Sequence, residues 1–178
     1  MNRLRRIVSS CQIVVMALFA LAAPGWAAPP VVLEPKYGVR IDHHVTIPMR
    51  DGVKLSADLI RPTGEGRFPV IIEYIPYRKD DLTRGGYDVH HYFAERGFIG
   101  VRLDVRGTGS SEGVNTDEYM PVEQSDGFDA IEWCARQPWS NGRVGMFGTS
   151  YGGFTCIQVS MQRPPSLKAI APMYSTDD

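Results

Sequence analysis

Between residues 37 and 178 the apolar positions follow two periods in turn. Val39–Pro48 and Val53–Ile60 alternate as extended stretches, and Met49-Arg50-Asp51-Gly52 separates them. Asp-Gly between alternating runs is a hairpin signal. Arg61–Arg67, with Pro62, Gly64 and Gly66, reads as a turn. Pro69–Ile75 is a short β-branched run, as expected of a strand buried on both faces. A loop with Pro76-Tyr77-Arg78-Lys79-Asp80 leads to a predicted helix near Asp88–Arg96, closed by Gly97. Phe98–Val105 is a further strand, and Gly107-Thr108-Gly109-Ser110-Ser111-Glu112-Gly113 is a glycine-rich loop. Glu123–Gln137 has the helical period, with Phe128, Ile131 and Ala135 on one face and Asp129, Glu132 and Arg136 on the other. Pro138 stops it. Val144–Phe147, Gly152–Arg163 and Leu167–Ala171 continue as strand, helix and strand. Such alternation predicts an α/β fold with right-handed crossovers and a mostly parallel sheet. Helices cover both faces, and the antiparallel N-terminal hairpin forms one edge.

The start of the chain breaks this pattern. Arg3, Arg5 and Arg6 precede an apolar stretch from Ile13 to Ala23, and Gly25 and Ala27 suit a signal-peptidase site. Residues 1–27 are therefore expected to be a signal peptide cleaved after Ala27, with export to the periplasm or medium. Residues 28–36 read as a Pro- and Ala-rich leader arm, and residues 37–178 as one domain. A stable membrane anchor is not expected, because Ser9, Ser10, Cys11 and Gln12 leave the uncharged stretch too short of strongly apolar residues. The composition, 43% apolar and 22% charged with a net charge of −1, is that of a globular domain. It has no basic run or stripe to suit a nucleic acid. Cys134 and Cys156 could pair in an exported protein, but both fall in helical segments among apolar neighbours and read as buried free thiols.

Candidate chemistry centres on Gly148-Thr149-Ser150-Tyr151-Gly152. A nucleophilic serine must stand clear of a sheet on a sharp strand-to-helix turn, where flanking side chains would collide with strand and helix. The motif lies between a predicted strand and a predicted helix, the context it requires. An oxyanion hole needs donors aimed at the oxygen that becomes negative. One expected donor is the Tyr151 N–H, and the second should come from the loop after Pro69–Ile75, where Tyr77 offers a phenol. From position alone, Tyr77 is either such a donor or a packed surface tyrosine. Gly107-x-Gly109 does not extend to a dinucleotide site, because Glu112 stands where the third glycine is needed. His43-His44 and His90-His91 are the only histidines. Neighbouring residues on a strand face opposite ways, so His43-His44 does not chelate by itself. No cofactor or metal is expected.

Several blocks together resemble one family. They are Arg50-Asp51-Gly52-Val53-Lys54-Leu55, Pro76-Tyr77, Asp104-Val105-Arg106-Gly107-Thr108-Gly109-Ser110-Ser111-Glu112-Gly113, and Gln137-Pro138-Trp139-Ser140-Asn141-Gly142-Arg143-Val144-Gly145 leading into Gly148-Thr149-Ser150-Tyr151-Gly152-Gly153. In this order and spacing they resemble the cocaine esterase and X-prolyl dipeptidyl-peptidase family of α/β-hydrolases, over roughly residues 37–178. The resemblance implies a serine hydrolase acting on a small ester or amide, or a short peptide, through a Ser150 acyl-enzyme. It also implies that the Tyr77 hydroxyl and the Tyr151 N–H form the oxyanion hole. Some relatives that act on α-amino-acid esters carry a glutamate after the Ser-Tyr pair. Gly152 stands there in this sequence, which speaks against that branch.

One departure matters more. The triad order in α/β-hydrolases is serine, then an acid, then histidine, and no histidine follows Ser150. Asp177 and Asp178 come too soon after the nucleophile to serve as the acid. The expectation is thus the N-terminal portion of an α/β-hydrolase fold, truncated before its acid, base, cap and C-terminal domain. Two alternatives are a catalytically inactive truncated hydrolase or interaction module, and a chain in which His90 or His91 replaces the base.

Overall fold

The computed structural model describes residues 33–82 and 85–176. The expected signal peptide, most of the leader arm, and Asp177 and Asp178 lie outside the described residues. Among the described residues, no helix is long and apolar enough to cross a membrane.

Six strands form one sheet. β1 (Val39–Pro48) and β2 (Lys54–Pro62) make the antiparallel hairpin. Its turn closes through Met49 and Val53 at 2.8 Å, with Gly52 at φ 89°. β2 runs past the expected end because Val39 and Arg40 still pair with Pro62 and Arg61. β3 (Phe68–Ile75), β4 (Ile99–Asp104), β5 (Ser140–Thr149) and β6 (Leu167–Met173) follow. The order across the sheet is β1-β2-β4-β3-β5-β6. β2 meets β4 antiparallel, whereas β3–β4, β3–β5 and β5–β6 are parallel. The helices are α1 (Gly85–Ala94), α2 (Pro121–Arg136) and α3 (Tyr151–Met161). α1 begins three residues before the predicted start, and Gly97, at φ 86°, follows the turn that ends it.

The chain crosses from β3 through α1 to β4 on one side, then returns through α2 to β5 on the other. β3 and β5 therefore lie side by side where the direction of winding reverses. Ligand crevices of open parallel sheets form beyond the C-terminal ends of strands at this point.

One sheet face carries Val70, Ile72, Tyr74, Ile99, Val101, Leu103, Val144 and Met146, packed with Ala130, Ile131 and Cys134 of α2 and Cys156 and Val159 of α3. The buried residues of α2 are Glu123, Asp126, Gly127, Ala130, Ile131, Cys134 and Ala135, so Ile131 and Ala135 face the core as expected and Phe128 does not. A Cβ at Gly127 would lie 2.4 Å from Val159 Cγ2, so α2 and α3 cross closely there. Phe128 is left half-buried, 5.5 Å beneath the Arg50 guanidinium, which itself pairs with Asp129 at 2.7 Å.

The opposite face is polar under α1. Asp58, Arg102 and Glu73 are neighbours across β2, β4 and β3, covered by Tyr87 and His90 of α1. Toward β5 and β6 this face opens into an apolar groove of about 280 Å³, lined in part by Ile71, Phe93, Phe147 and Ile170. Beyond it, β6 has no strand on its outer side among the described residues.

Candidate active site

Ser150 is the single residue between the end of β5 and the start of α3. Its backbone takes φ 57° and ψ −119°, a conformation that costs a non-glycine residue ~1–3 kcal/mol. Three backbone hydrogen bonds hold the turn. The Ser150 N–H donates to Met173 O of β6 at 2.9 Å, and its carbonyl accepts from Gly153 and Phe154 N–H at 2.8 and 3.0 Å. The side chain is thereby raised above the sheet, and Ser150 is exposed.

The glycines differ in what they permit. A Cβ at Gly148 would lie 2.5 Å from the carbonyl carbon and oxygen of Gly152, so strand and helix could not meet as closely. At Gly153 it would lie 2.6 Å from Met173 O. At Gly152 it would meet only the tip of Ile75, at 3.3 Å. The steric need expected of both motif glycines falls on Gly148, and also on Gly153, which is outside the motif.

β3 ends next to β5, and two residues later Tyr77 turns toward Ser150. Its Oη accepts the Tyr151 N–H at 3.2 Å, and the two rings meet edge to face at 6.5 Å. The two predicted oxyanion donors are thus adjacent. An oxygen placed ~2.7–3.1 Å from each would take both hydrogen bonds, the geometry of an oxyanion hole.

The Tyr151 side chain is occupied elsewhere. It donates to Glu123 Oε2 at 2.8 Å, accepts from the Tyr119 N–H at 3.1 Å, and stacks on the Tyr119 ring at 4.5 Å. Burial raises the pKa of the Tyr151 hydroxyl, and its hydrogen bond to Glu123 acts the same way. Burial also raises the Glu123 carboxyl, against the hydrogen bond that Tyr151 donates. Tyr151 can therefore offer its amide while its phenol fixes the first turn of α3. Sequence reading did not single out Glu123 or Tyr119. Position 119 carries a signal only in the structure, where its φ is 59°.

Two further loops are tied together at the end of β4. Asp104, at the end of β4, accepts from the Lys79 N–H at 2.7 Å and the Ser110 N–H at 2.9 Å. A Cβ at Gly109 would collide with its carboxylate. Arg106 binds Asp126 of α2 through two nitrogens at 2.7 and 2.8 Å and Asp51 of the hairpin turn at 2.8 Å. These contacts hold the glycine-rich loop in place at the C-terminal end of β4.

The histidines lie elsewhere. His44 has φ 53°, and a β-bulge between Asp42 and Val45 breaks the strand alternation there. Both histidines consequently turn to Asp58: His43 Nδ1 lies 2.7 Å from Oδ2, and the His44 N–H donates to Oδ1 at 2.9 Å. This corrects the expectation that they face opposite ways. His90 is buried, 3.2 Å from Glu73 and packed against Phe147. His91 is exposed on α1. Among the described residues, no hydrogen bond joins a histidine to Ser150 Oγ. Cys134 and Cys156 are buried free thiols; burial raises both, Cys156 to about 12.

One cluster was not foreseen. Donor atoms of His44, Asp58 and Asp80 lie within 4.8 Å of one another, a spacing that would suit a cation. Lys79 Nζ already supplies the positive charge, 3.1 Å from His44 Nδ1, 3.3 Å from Asp58 Oδ1 and 2.8 Å from Asp80 Oδ2.

Comparison with known proteins shows the family. The model of the X-Pro dipeptidyl-peptidase (S15 family) matches residues 51–178. The cocaine esterase of Rhodococcus sp. (strain MB1 Bresler) is 38% identical over 139 residues, which cover 76% of this chain and 24% of the relative. Among solved structures, a CocE/NonD family hydrolase from Staphylococcus aureus matches with a TM-score of 0.68 and 30% identity, over 75% of this chain and 27% of that one. An α-amino acid ester hydrolase matches with a TM-score of 0.62 and 32% identity, over 85% of this chain and 28% of that one. The chain spans about a quarter of the length of the curated relatives it matches.

Proposed function

Because this chain belongs to the X-Pro dipeptidyl-peptidase (S15) family, among hydrolases of the CocE/NonD type, we propose that Ser150 is the nucleophile of a serine hydrolase that cleaves esters or amides through an acyl-enzyme. The observation that carries this reading is the meeting of the Tyr77 hydroxyl and the Tyr151 N–H, 3.2 Å apart, beside an exposed serine on a strained turn. In the first step Ser150 Oγ bonds to the acyl carbon and its proton passes to a base. The carbonyl oxygen takes the negative charge between Tyr77 Oη and Tyr151 N. The tetrahedral adduct then expels the alcohol or amine, which leaves protonated, and water releases the acid by the same route. The proposal assigns the nucleophile and both oxyanion donors to this chain.

An oxyanion hole and substrate binding without a complete triad still accelerate acyl-group hydrolysis by ~10³–10⁴-fold over water. The 178-residue chain should therefore be acylated slowly by p-nitrophenyl acetate, with the acetyl group found by mass spectrometry on the peptide that holds Ser150. Ser150→Ala should abolish that adduct, and Tyr77→Phe should slow its formation. Acylation elsewhere, or at equal rate in Ser150→Ala, would overturn the assignment. The lack of a histidine bonded to Ser150 favours a second reading, a catalytically inactive module. Steady turnover that Ser150→Ala removes would exclude it. Export with cleavage after Ala27 is also proposed, and N-terminal sequencing of protein recovered from the periplasm or medium tests it.

A further inference from the structure

The Tyr77 hydroxyl reaches the Tyr151 amide because the chain just after Tyr77 is turned back and tied down. Arg78 takes φ 63°, and one turn of π-helix, Arg78–Leu82, begins there. The reversal sends residue 77 toward Ser150 and residue 79 into the protein. Lys79 is fully buried, a rare state for lysine unless it is paired. Its ammonium lies among His44 Nδ1, the Asp58 carboxylate and both oxygens of Asp80, at 3.1, 3.3, 3.0 and 2.8 Å. Its N–H donates to Asp104 at 2.7 Å. Asp58 is held in turn by His43, the His44 N–H and the Tyr87 hydroxyl. The loop after β3 is thus fastened to β1 and β2 through the Lys79 side chain and to the end of β4 through its backbone N–H.

No group in this knot is bonded to Ser150, Tyr77 or Tyr151, so the proposed chemistry does not use it directly. A buried charge is costly to retain, and apolar packing could close a loop at least as firmly. What the ammonium adds is a fixed point only two residues from Tyr77, approached from the opposite side of the chain.

We propose that Lys79 is a positioning residue that holds the Tyr77 hydroxyl over the Tyr151 amide and so presets the oxyanion hole. The proposal rests on the reading of those two groups as the oxyanion donors. The Tyr151 N–H is the first of its helix and has no acceptor within α3, so its hydrogen exchange reports directly on Tyr77.

The test is residue-resolved amide exchange by NMR on the 178-residue chain and its variants. Tyr77→Phe is expected to speed exchange at Tyr151 at least tenfold while Ile72 and Val101, in the core strands, keep their protection. Lys79→Met is expected to do the same, and the double variant should exchange no faster at Tyr151 than Tyr77→Phe alone. Unchanged exchange at Tyr151 in Lys79→Met, with the core protected, would overturn the proposal. So would a double variant that exchanges faster than Tyr77→Phe. Should Lys79→Met lose core protection as well, Asp80→Asn decides. It removes the exposed partner, and a rise of about threefold at Tyr151 is expected, whereas no rise counts against the anchor. Unchanged exchange in Tyr77→Phe is a different failure. It would sink the oxyanion geometry itself, whatever Lys79 does.

Discussion

The two glycines that frame Ser150 should respond in opposite directions to the same methyl group. At Gly148 the added Cβ would lie 2.5 Å from Gly152 C and O and 2.8 Å from its Cα. These are backbone atoms at the start of α3 and cannot rotate away. To reach ordinary contact the first turn of α3 must move by about 1 Å, and inserted methyl groups in packed sites cost ~1–3 kcal/mol even when side chains can yield. We place Gly148→Ala at the upper end, ~3 kcal/mol. The same shift would pull the Tyr151 N–H from Tyr77 and Thr155 Oγ1 from Tyr74 O. At Gly152 the new Cβ meets only Ile75 Cγ2, at 3.3 Å. A displacement of a few tenths of an ångström relieves that contact, and alanine is favoured over glycine within a helix by ~1 kcal/mol. Gly152→Ala should therefore range from neutral to stabilising by up to ~1 kcal/mol. Urea unfolding followed by circular dichroism separates the two variants. With a slope of ~1–3 kcal/mol/M, Gly148→Ala should lower the midpoint by about 1–3 M at unchanged slope, and Gly152→Ala should leave it in place or raise it. Equal midpoints, or a larger loss at Gly152, would refute the reasoning that backbone proximity at Gly148 sets the elbow.

Two further predictions concern strain and charge. Ser150 holds a backbone conformation suited to glycine, so Ser150→Gly should be about 1 kcal/mol more stable than Ser150→Ala, the strain relief of ~1–3 kcal/mol outweighing ~0.5–1 kcal/mol of added chain entropy. A glycine variant that melts below the alanine variant would show that the turn is not strained. Burial acts to raise the Asp58 carboxyl, but hydrogen bonds from Tyr87, the His44 amide and His43, with the Lys79 charge, hold it at about 2, below its ordinary 3.8. A depressed carboxyl stabilises the fold fully above its unfolded pKa, here ~2 kcal/mol, and loses that contribution as pH falls through the folded value. Wild-type stability should thus decline between about pH 4 and pH 2, with a shallower decline in Asp58→Asn. Asp104, raised by burial, acts the other way, favouring the fold as it protonates. Denaturation midpoints measured across this range check both signs, and an equally steep acid limb in Asp58→Asn would contradict the Asp58 assignment.

Much of this protein was determined by local sequence. Two-residue alternation, β-branched runs and Gly or Pro punctuation located all six strands and three helices, because hydrophobic period and turn chemistry act over a few residues. The Ser150 turn was legible for the same reason: glycine and serine between a strand and a helix mark a sharp turn, although its second close contact falls on Gly153 rather than Gly152. Tyr77 was only a candidate from its place in the chain, because its value depends on β3 lying beside β5, which the crossovers decide. Tertiary structure alone revealed the rest. The bulge at His44 turns two histidines to one carboxylate, Gly127 lets α2 cross close to α3, and Lys79, which reads as an ordinary loop lysine, is buried among groups from distant parts of the chain. Local patterns encode which elements form and where they break. Which charges are buried together depends on long-range packing, where a buried ion must find its partners across the fold, and no short window of sequence contains them.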